Sequence, residues 1–393
     1  MNDFEDIRPY NDSEVPSALT RMVADPELLD LLLTREFPRI TKVLPGIFTW
    51  ILRPFLRRKL RNLMVGVSTV ADFQAHMTLR LMAVLETTSD SYGFGGLDNI
   101  PSENTCLYMS NHRDIALDPA MVNLGLHKQG RPLVRIAIGD NLLSKPFAAD
   151  LMRINRSFIV KRSVKGRREK FEALKNLSCY VRHSIVQEKV SIWIAQAEGR
   201  AKNGEDRTET ALLKMLALSK GKDQSFAAAT GELNIVPVAI SYEYDPCDAQ
   251  KAGELYAQQE GLTYVKDPYE DLDSIVKGLT GYKGRIQVNF GDPVADNYED
   301  ADSLATEVDR QIGINYQLFP TNIMAWAMQG NEQKVDILES LKSLWPEEDW
   351  LHAEQQFKNH INTLPLEHQA IAVGAYAAPV DNQLHYLSQQ QGH

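Results

Sequence analysis

From Asn104 onward, short apolar runs alternate with longer segments of helical period, and this alternation limits the possible folds more than any other feature of the chain. The runs are Thr105 to Met109, Val134 to Ile138, Ser157 to Lys161, Val190 to Gln196, Ile235 to Ser241 and Arg285 to Phe290. Each has the length and composition of a strand. Between them, Arg167 to Gln187 and Thr208 to Ser219 read as amphipathic helices. Strands and helices in alternation predict an α/β domain.

The flanks read differently. Residues 1–95 are expected to be helical, with Asp25-Pro26 starting a leucine-rich helix, and glycine-rich Tyr92 to Asn99 closing the region as a turn. From Tyr298 the pattern is helical again, through Leu304 to Ile312, Trp326 to Leu341 and Trp350 to Leu364, with a frayed tail at Gln389 to His393. The expected organisation is a helical region 1–95, an α/β domain 96–297 and a helical region 298–393. A chain of 393 residues, 44% apolar, has ample material for such a core.

Charge and cysteine usage narrow the function. A net charge of -10 argues against a general nucleic-acid binder, which needs a basic surface. Cys106, Cys179 and Cys247 have neither metal-ligand nor disulfide spacing and read as buried free thiols. The acidic start, Met1 to Tyr10, does not resemble a secretory signal. The most lipid-like run, Val43 to Leu52, carries Pro45 and Gly46 and falls short of the ~20 apolar residues a spanning helix needs. A cytoplasmic protein is expected, able to touch a membrane from that side.

Ser110-Asn111-His112-Arg113-Asp114-Ile115-Ala116-Leu117-Asp118-Pro119 follows directly on the first strand of the α/β region. Asp118-Pro119 reads as an N-cap and first helical residue, so His112 is placed on a strand-to-helix loop. A carboxylate that turns back onto the imidazole would fix its tautomer and leave the other nitrogen to take a hydroxyl proton. Taken alone, the same residues fit an ordinary loop histidine beside a helix cap. Two further strand ends carry cations: Phe158-Ile159-Val160-Lys161-Arg162, and Glu198-Gly199-Arg200-Ala201-Lys202-Asn203-Gly204. Arginine forks and flexible glycines suit a phosphate. Ile235-Val236-Pro237-Val238 is a further strand.

These four blocks, in this order, resemble those of the glycerophosphate/lysophosphatidate acyltransferase superfamily, over about Leu97 to Val294. Gly96-Leu97-Asp98-Asn99-Ile100-Pro101 and Gly291-Asp292-Pro293-Val294 are also similar to that family's flanks. The resemblance implies a mixed sheet flanked by helices. It implies His112 as the base that deprotonates the acceptor hydroxyl and Asp118 as its carboxylate. Substrate contacts fall on Asn111, Arg113, Arg162, Glu198, Gly199, Arg200 and Lys202, with the arginines on the acceptor phosphate. Two departures stand out. Five residues separate His112 from Asp118 where the family has four, which leaves Asp114 as an alternative partner; and Ala197 replaces the proline usual before the glutamate.

The implied reaction moves a fatty acyl group from acyl-CoA or acyl carrier protein onto glycerol-3-phosphate or its 1-acyl form, in phospholipid synthesis. The donor is a substrate, and no cofactor or metal is called for. No Gly-x-Ser-x-Gly elbow offers a nucleophile, so direct attack fits better than an acyl-enzyme. Residues 47–64 combine Phe48, Trp50, Ile51 and Phe55 with the basic block Arg53, Arg57, Arg58, Lys59 and Arg61. That pairing suits an anionic membrane face, with Pro54 expected to kink or interrupt the helix. The basic run Lys165 to Lys170 reads as a solvated helix start, with the acyl carrier as a possible partner; His352, His360 and His368 read as surface residues. The competing readings are a lipid-binding membrane-surface protein without turnover, and an acyltransferase with another lysolipid or an amine acceptor.

Overall fold

The computed structural model describes residues 4–37, 47–267 and 269–391. Its strands in chain order are β1 (Ser91–Gly95), β2 (Leu107–Ser110), β3 (Arg135–Gly139), β4 (Ser157–Val160), β5 (Ile192–Ala195), β6 (Ile235–Tyr242) and β7 (Arg285–Phe290). The chain divides into two compact units, one of Met1–Leu81 with Arg135–Tyr180, the other of Met82–Val134 with Val181–His393.

In the larger unit, β6 is the axis: every one of its residues is buried, as a strand covered on both faces requires. Strand order here is β1-β7-β6-β2-β5. β2 runs parallel to β5 and β6, β1 runs parallel to β7, and only β6 and β7 are antiparallel, so the sheet is mixed as expected. Proline inside a central strand removes a ladder donor. Pro237 is tolerated because the β6–β7 ladder ends at Val238 opposite Phe290; beyond it, the Pro237 carbonyl accepts from Gly291 N–H.

β1 corrects the turn expected at Tyr92 to Asn99. Glycine normally weakens a strand, but a Cβ on Gly93 or Gly95 would stand only 2.3 and 2.7 Å from the Gln287 and Asn289 side chains of β7. The glycines make room for those amides to lie across the strand. The turn is confined to the residues after Gly95.

Behind the sheet, the C-terminal helices Ala301–Asn315, Pro320–Met328, Val335–Lys342, Glu347–Asn362 and Leu366–Gln391 follow one another. The helix expected from Trp326 to Leu341 is broken at Met328 by a Gly330 turn. Leu366–Gln391 is continuous through Pro379 and packs on Pro320–Met328, Asp248–Gln259 and Ala301–Asn315. The guanidinium of Arg285 on β7 forks onto Glu243 at 2.7 and 2.9 Å and lies 4.1 Å over the Trp345 ring, tying this layer to the sheet.

In the smaller unit, β3 and β4 pair in parallel, and Tyr180 packs between Phe4 and Phe158. Asp25 caps Pro26–Glu36 by accepting from Glu27 and Leu28 N–H, as its position before proline requires. Ile47–Leu63 is one helix, not interrupted at Pro54. Leu52, Leu56 and Leu60 fall on one side and pack against Leu29 and Leu33, which holds the helix together across the proline. Of the lipid-like run Val43 to Leu52, the part before residue 47 lies outside the described residues. Among the described residues, no helix is long and apolar enough to cross a membrane.

Candidate active site

β2 ends at Ser110, and the chain crosses a short loop into the helix Leu117–Lys128. His112 lies on that loop with 15% of its side chain exposed, its ring edge-on to Trp193 of β5. Its Nδ1 is 2.8 Å from Asp118 Oδ2. The same oxygen accepts the backbone N–H groups of Arg113 at 2.6 Å and Asp114 at 2.9 Å. Asp118 Oδ1 accepts from the Tyr242 hydroxyl, 2.8 Å away at the end of β6. A wholly buried carboxylate with this set of donors is well satisfied, and it presents a fixed oxygen to the imidazole.

The extra residue between His112 and Asp118 is absorbed by a tight loop. The cap position is Ala116, and Asp114, two residues before it, accepts the Ala116 and Leu117 N–H groups at 3.0 and 2.7 Å. The helix starts at Leu117, so Asp118 sits inside its first turn, a correction to the N-cap reading. Asp118 is freed from capping because its carboxylate is turned back over the loop.

Asn111 and Arg113 both face inward. The Asn111 side chain is fully buried; its amide accepts from Ile240 N–H at 2.8 Å and donates to Ile240 C=O and Asp206 at 3.0 and 3.2 Å. It stitches the loop to β6. Arg113, 8% exposed, reaches Asp206 at 2.7 Å and Gly204 C=O at 3.1 Å. Its own carbonyl accepts from Lys251 Nζ at 2.7 Å, and Lys251 also pairs with Asp245. The Arg113 peptide is thereby held at both its N–H and its C=O.

The second loop follows β5. Ala201 N–H donates to the His112 carbonyl at 2.8 Å, which brings this loop beside the first. Glu198 and Gly199 are exposed on it. Arg200 donates to Ser274 Oγ at 3.3 Å, while its Nη1 is buried with no hydrogen-bond partner among the described residues. Lys202 pairs with Glu254. Gly204 has φ +81°, and a Cβ there would stand 2.1 Å from Ala375 C=O, so the Leu366–Gln391 helix presses directly on the loop. A cavity of about 40 Å³ opens here, among Arg113, Lys202, Tyr242, Lys251, Tyr316 and Tyr376.

Arg162 belongs to the smaller unit. Its N–H donates to Asp140 at 3.1 Å, and its guanidinium covers Gly139. His360, expected at the surface, is half-buried: it bonds Asp248, which also accepts from the Tyr376 hydroxyl at 2.9 Å. Its pKa is raised by that bond, and the Tyr244 and Tyr376 rings flank it. His368 lies against Tyr256, and the His352 side chain is outside the described residues. Cys106 and Cys247 are buried and Cys179 partly so; none is in a disulfide.

The electrostatics follow from burial. Desolvation first, then the charge of Asp118, pushes Asp114 up to about 6. Burial and the same charge drive the Tyr242 phenol well above its ordinary value, so it remains a proton donor. For Arg113, the surrounding carboxylates, Asp206 foremost, outweigh the cost of burial and keep it charged. Tyr242, Asp206 and Lys251 escape notice in the sequence. Tyr242 had one available signal, its position at the end of a strand parallel to β2, where ligands of α/β sheets gather.

Residues 92–241 match the family model described as Acyltransferase. Over that segment the chain is similar to acyltransferases. That match runs from the second residue of β1 to all but the last residue of β6, and so contains both site loops and every residue that bonds Asp118 except Tyr242. No curated protein matches. Among solved structures, the chain is similar to a crystal structure of the 1-acyl-sn-glycerophosphate (LPA) acyltransferase PlsC from Thermotoga maritima. The TM-score is 0.36 and the identity 16%, over 82% of this chain and 100% of that one.

Proposed function

We propose that this acyltransferase moves a fatty acyl group from a thioester donor, acyl-CoA or acyl carrier protein, to a hydroxyl of glycerol-3-phosphate or 1-acylglycerol-3-phosphate. The observation that carries the reading is the 2.8 Å bond between His112 Nδ1 and Asp118. It directs Nε2, which has no bonded partner among the described residues, to the acceptor. As the acceptor oxygen attacks the thioester carbonyl, Nε2 takes its proton; the C–O bond forms, the C–S bond breaks, and the thiolate leaves. General base catalysis contributes about 10²–10⁴-fold, and holding the two substrates together contributes more. Arg200, with a buried Nη1 that lacks a partner, supplies a donor for the acceptor phosphate, beside exposed Glu198 and Gly199 and with Lys202 nearby. The family resemblance also gives Arg162, on the smaller unit, a phosphate-binding role.

The Ile47–Leu63 helix supports a peripheral attachment to the cytoplasmic membrane face. Trp50, Ile51 and Phe55 are 72%, 50% and 70% exposed, next to exposed Arg58, Lys59 and Arg61. Aromatic and aliphatic groups beside cations suit an anionic leaflet. Arg53 and Arg57 are spent inside the unit, on Asp30 and on the Ala24 carbonyl.

The test is mass spectrometry of products from purified protein, a labelled acyl thioester and a panel of lysolipids and glycerol phosphates. Acylated phosphate-bearing product is expected, lost in H112A, with acceptor KM raised in R200Q and R162Q. Absence of product from every thioester, with vesicle binding intact, would replace this reading by a lipid-binding one; preference for phosphate-free acceptors would move the acceptor class.

A further inference from the structure

The two oxygens of Asp118 have unequal company. Oδ2 faces His112 Nδ1 and the N–H groups of Arg113 and Asp114, whereas for Oδ1 the Tyr242 hydroxyl is the bonded donor among the described residues. Asp118 is 0% exposed and Tyr242 6% exposed, so the bond between them is shielded from bulk solvent. A buried carboxylate oxygen left without a donor is destabilised enough to let the group turn or draw a proton. Tyr242 is itself held in place: it ends a strand whose ladder with β7 pairs it to Ile286, and Asn111 locks Ile240, two residues earlier, to the catalytic loop.

We propose that Tyr242 is a positioning residue for the His112–Asp118 pair: its hydroxyl pins Oδ1, so that Oδ2 alone is presented to the imidazole. This rests on His112 being the base of acyl transfer, and it adds a residue from β6 to that machinery. Bonding to Tyr242 also withdraws charge from Asp118, which sets how strongly the carboxylate favours the imidazolium form of His112. The other ionisable groups around Asp118 are Asp114 on the same loop, Arg113 and Asp206 beside it, and Tyr316. All are unchanged when only the Tyr242 hydroxyl is removed.

The experiment is Y242F, read in two ways. In the transfer assay, kcat should fall about 10- to 100-fold with acceptor KM within about twofold, and the acidic limb of the pH profile should move to higher pH. By NMR, with no substrate present, the His112 ring should titrate about half a pH unit or more higher than in wild type. If phenylalanine is not tolerated, 3-fluorotyrosine at position 242 keeps the size and hydroxyl but donates more strongly; it should move the His112 titration downward. An unmoved His112 titration with unchanged kcat overturns the proposal. A moved titration in a protein that acylates nothing supports it and removes the acyl-transfer reading instead.

Discussion

The α-carbon of Gly278 faces the carboxylate of Asp114 so closely that a Cβ would stand 1.8 Å from Oδ2. Gly278 lies on the helix Glu270–Thr280, and Asp114 accepts the Ala116 and Leu117 N–H groups where the chain enters the helix that carries Asp118. The absent side chain at 278 therefore gives the His112 loop the room to hold its shape.

G278A should accordingly destabilise the protein by about 1–3 kcal/mol, the usual cost of an inserted methyl that cannot be absorbed. Urea denaturation measures this. Loss of activity should accompany it, because Asp114 cannot shift without moving the backbone N–H that bonds Asp118. An unchanged urea midpoint would show that the loop has slack.

D118N and D114N should separate catalysis from capping. D118N removes the charge that holds the imidazole, and kcat should fall about 10²-fold or more. D114N keeps an oxygen for Ala116 and Leu117 N–H, so most of the activity should survive. Steady-state kinetics of the two variants, with circular dichroism to confirm folding, reads the difference; equal losses would return Asp114 to the catalytic pair.

Asp114 also predicts a pH dependence of stability. Its pKa is raised to about 6 in the folded protein from an ordinary value near 3.8, by burial and by Asp118. The folded state therefore holds more protons than the unfolded state between these values, and stability falls as pH rises through that window. Measured against D114N, wild type should gain stability as pH is lowered from about 6 towards about 4. Thermal melts across this range check the sign, and a constant difference would contradict it.

The Ile47–Leu63 helix predicts saturable binding to vesicles containing anionic lipid. W50S/F55S and R58Q/K59Q should each weaken it, with added salt affecting only the contribution of the cations. Flotation with wild type and both variants is the measurement. Activity on short-chain, micelle-free acceptors should be unaffected, since neither pair lies in the site loops.

Six strands are legible in the sequence because each is a compact apolar run, and β6 and β7 fall within a residue of expectation. β1 is not, because its two glycines signal a turn and only the Gln287 and Asn289 amides on the neighbouring strand show why they belong in a sheet. The His112 loop stands out for its residue types, but nothing local tells which polar side chains of that loop face inward. Asn111 and Arg113 are held by Ile240 and Asp206, 93 to 129 positions away, and no local signal shows those bonds. Leu366–Gln391 is obscured by Pro379 and its small residues, whose close packing depends on partners distant in sequence.

The contact of Gly204 with the Ala375 carbonyl means that the last long helix forms the rear wall of the loop that carries Arg200. Trimming the chain ahead of Leu366 to obtain a minimal enzyme would therefore unseat that loop, and the carbonyl of Gly204 would no longer anchor the Arg113 fork. A transplanted reaction centre would have to bring this wall with it.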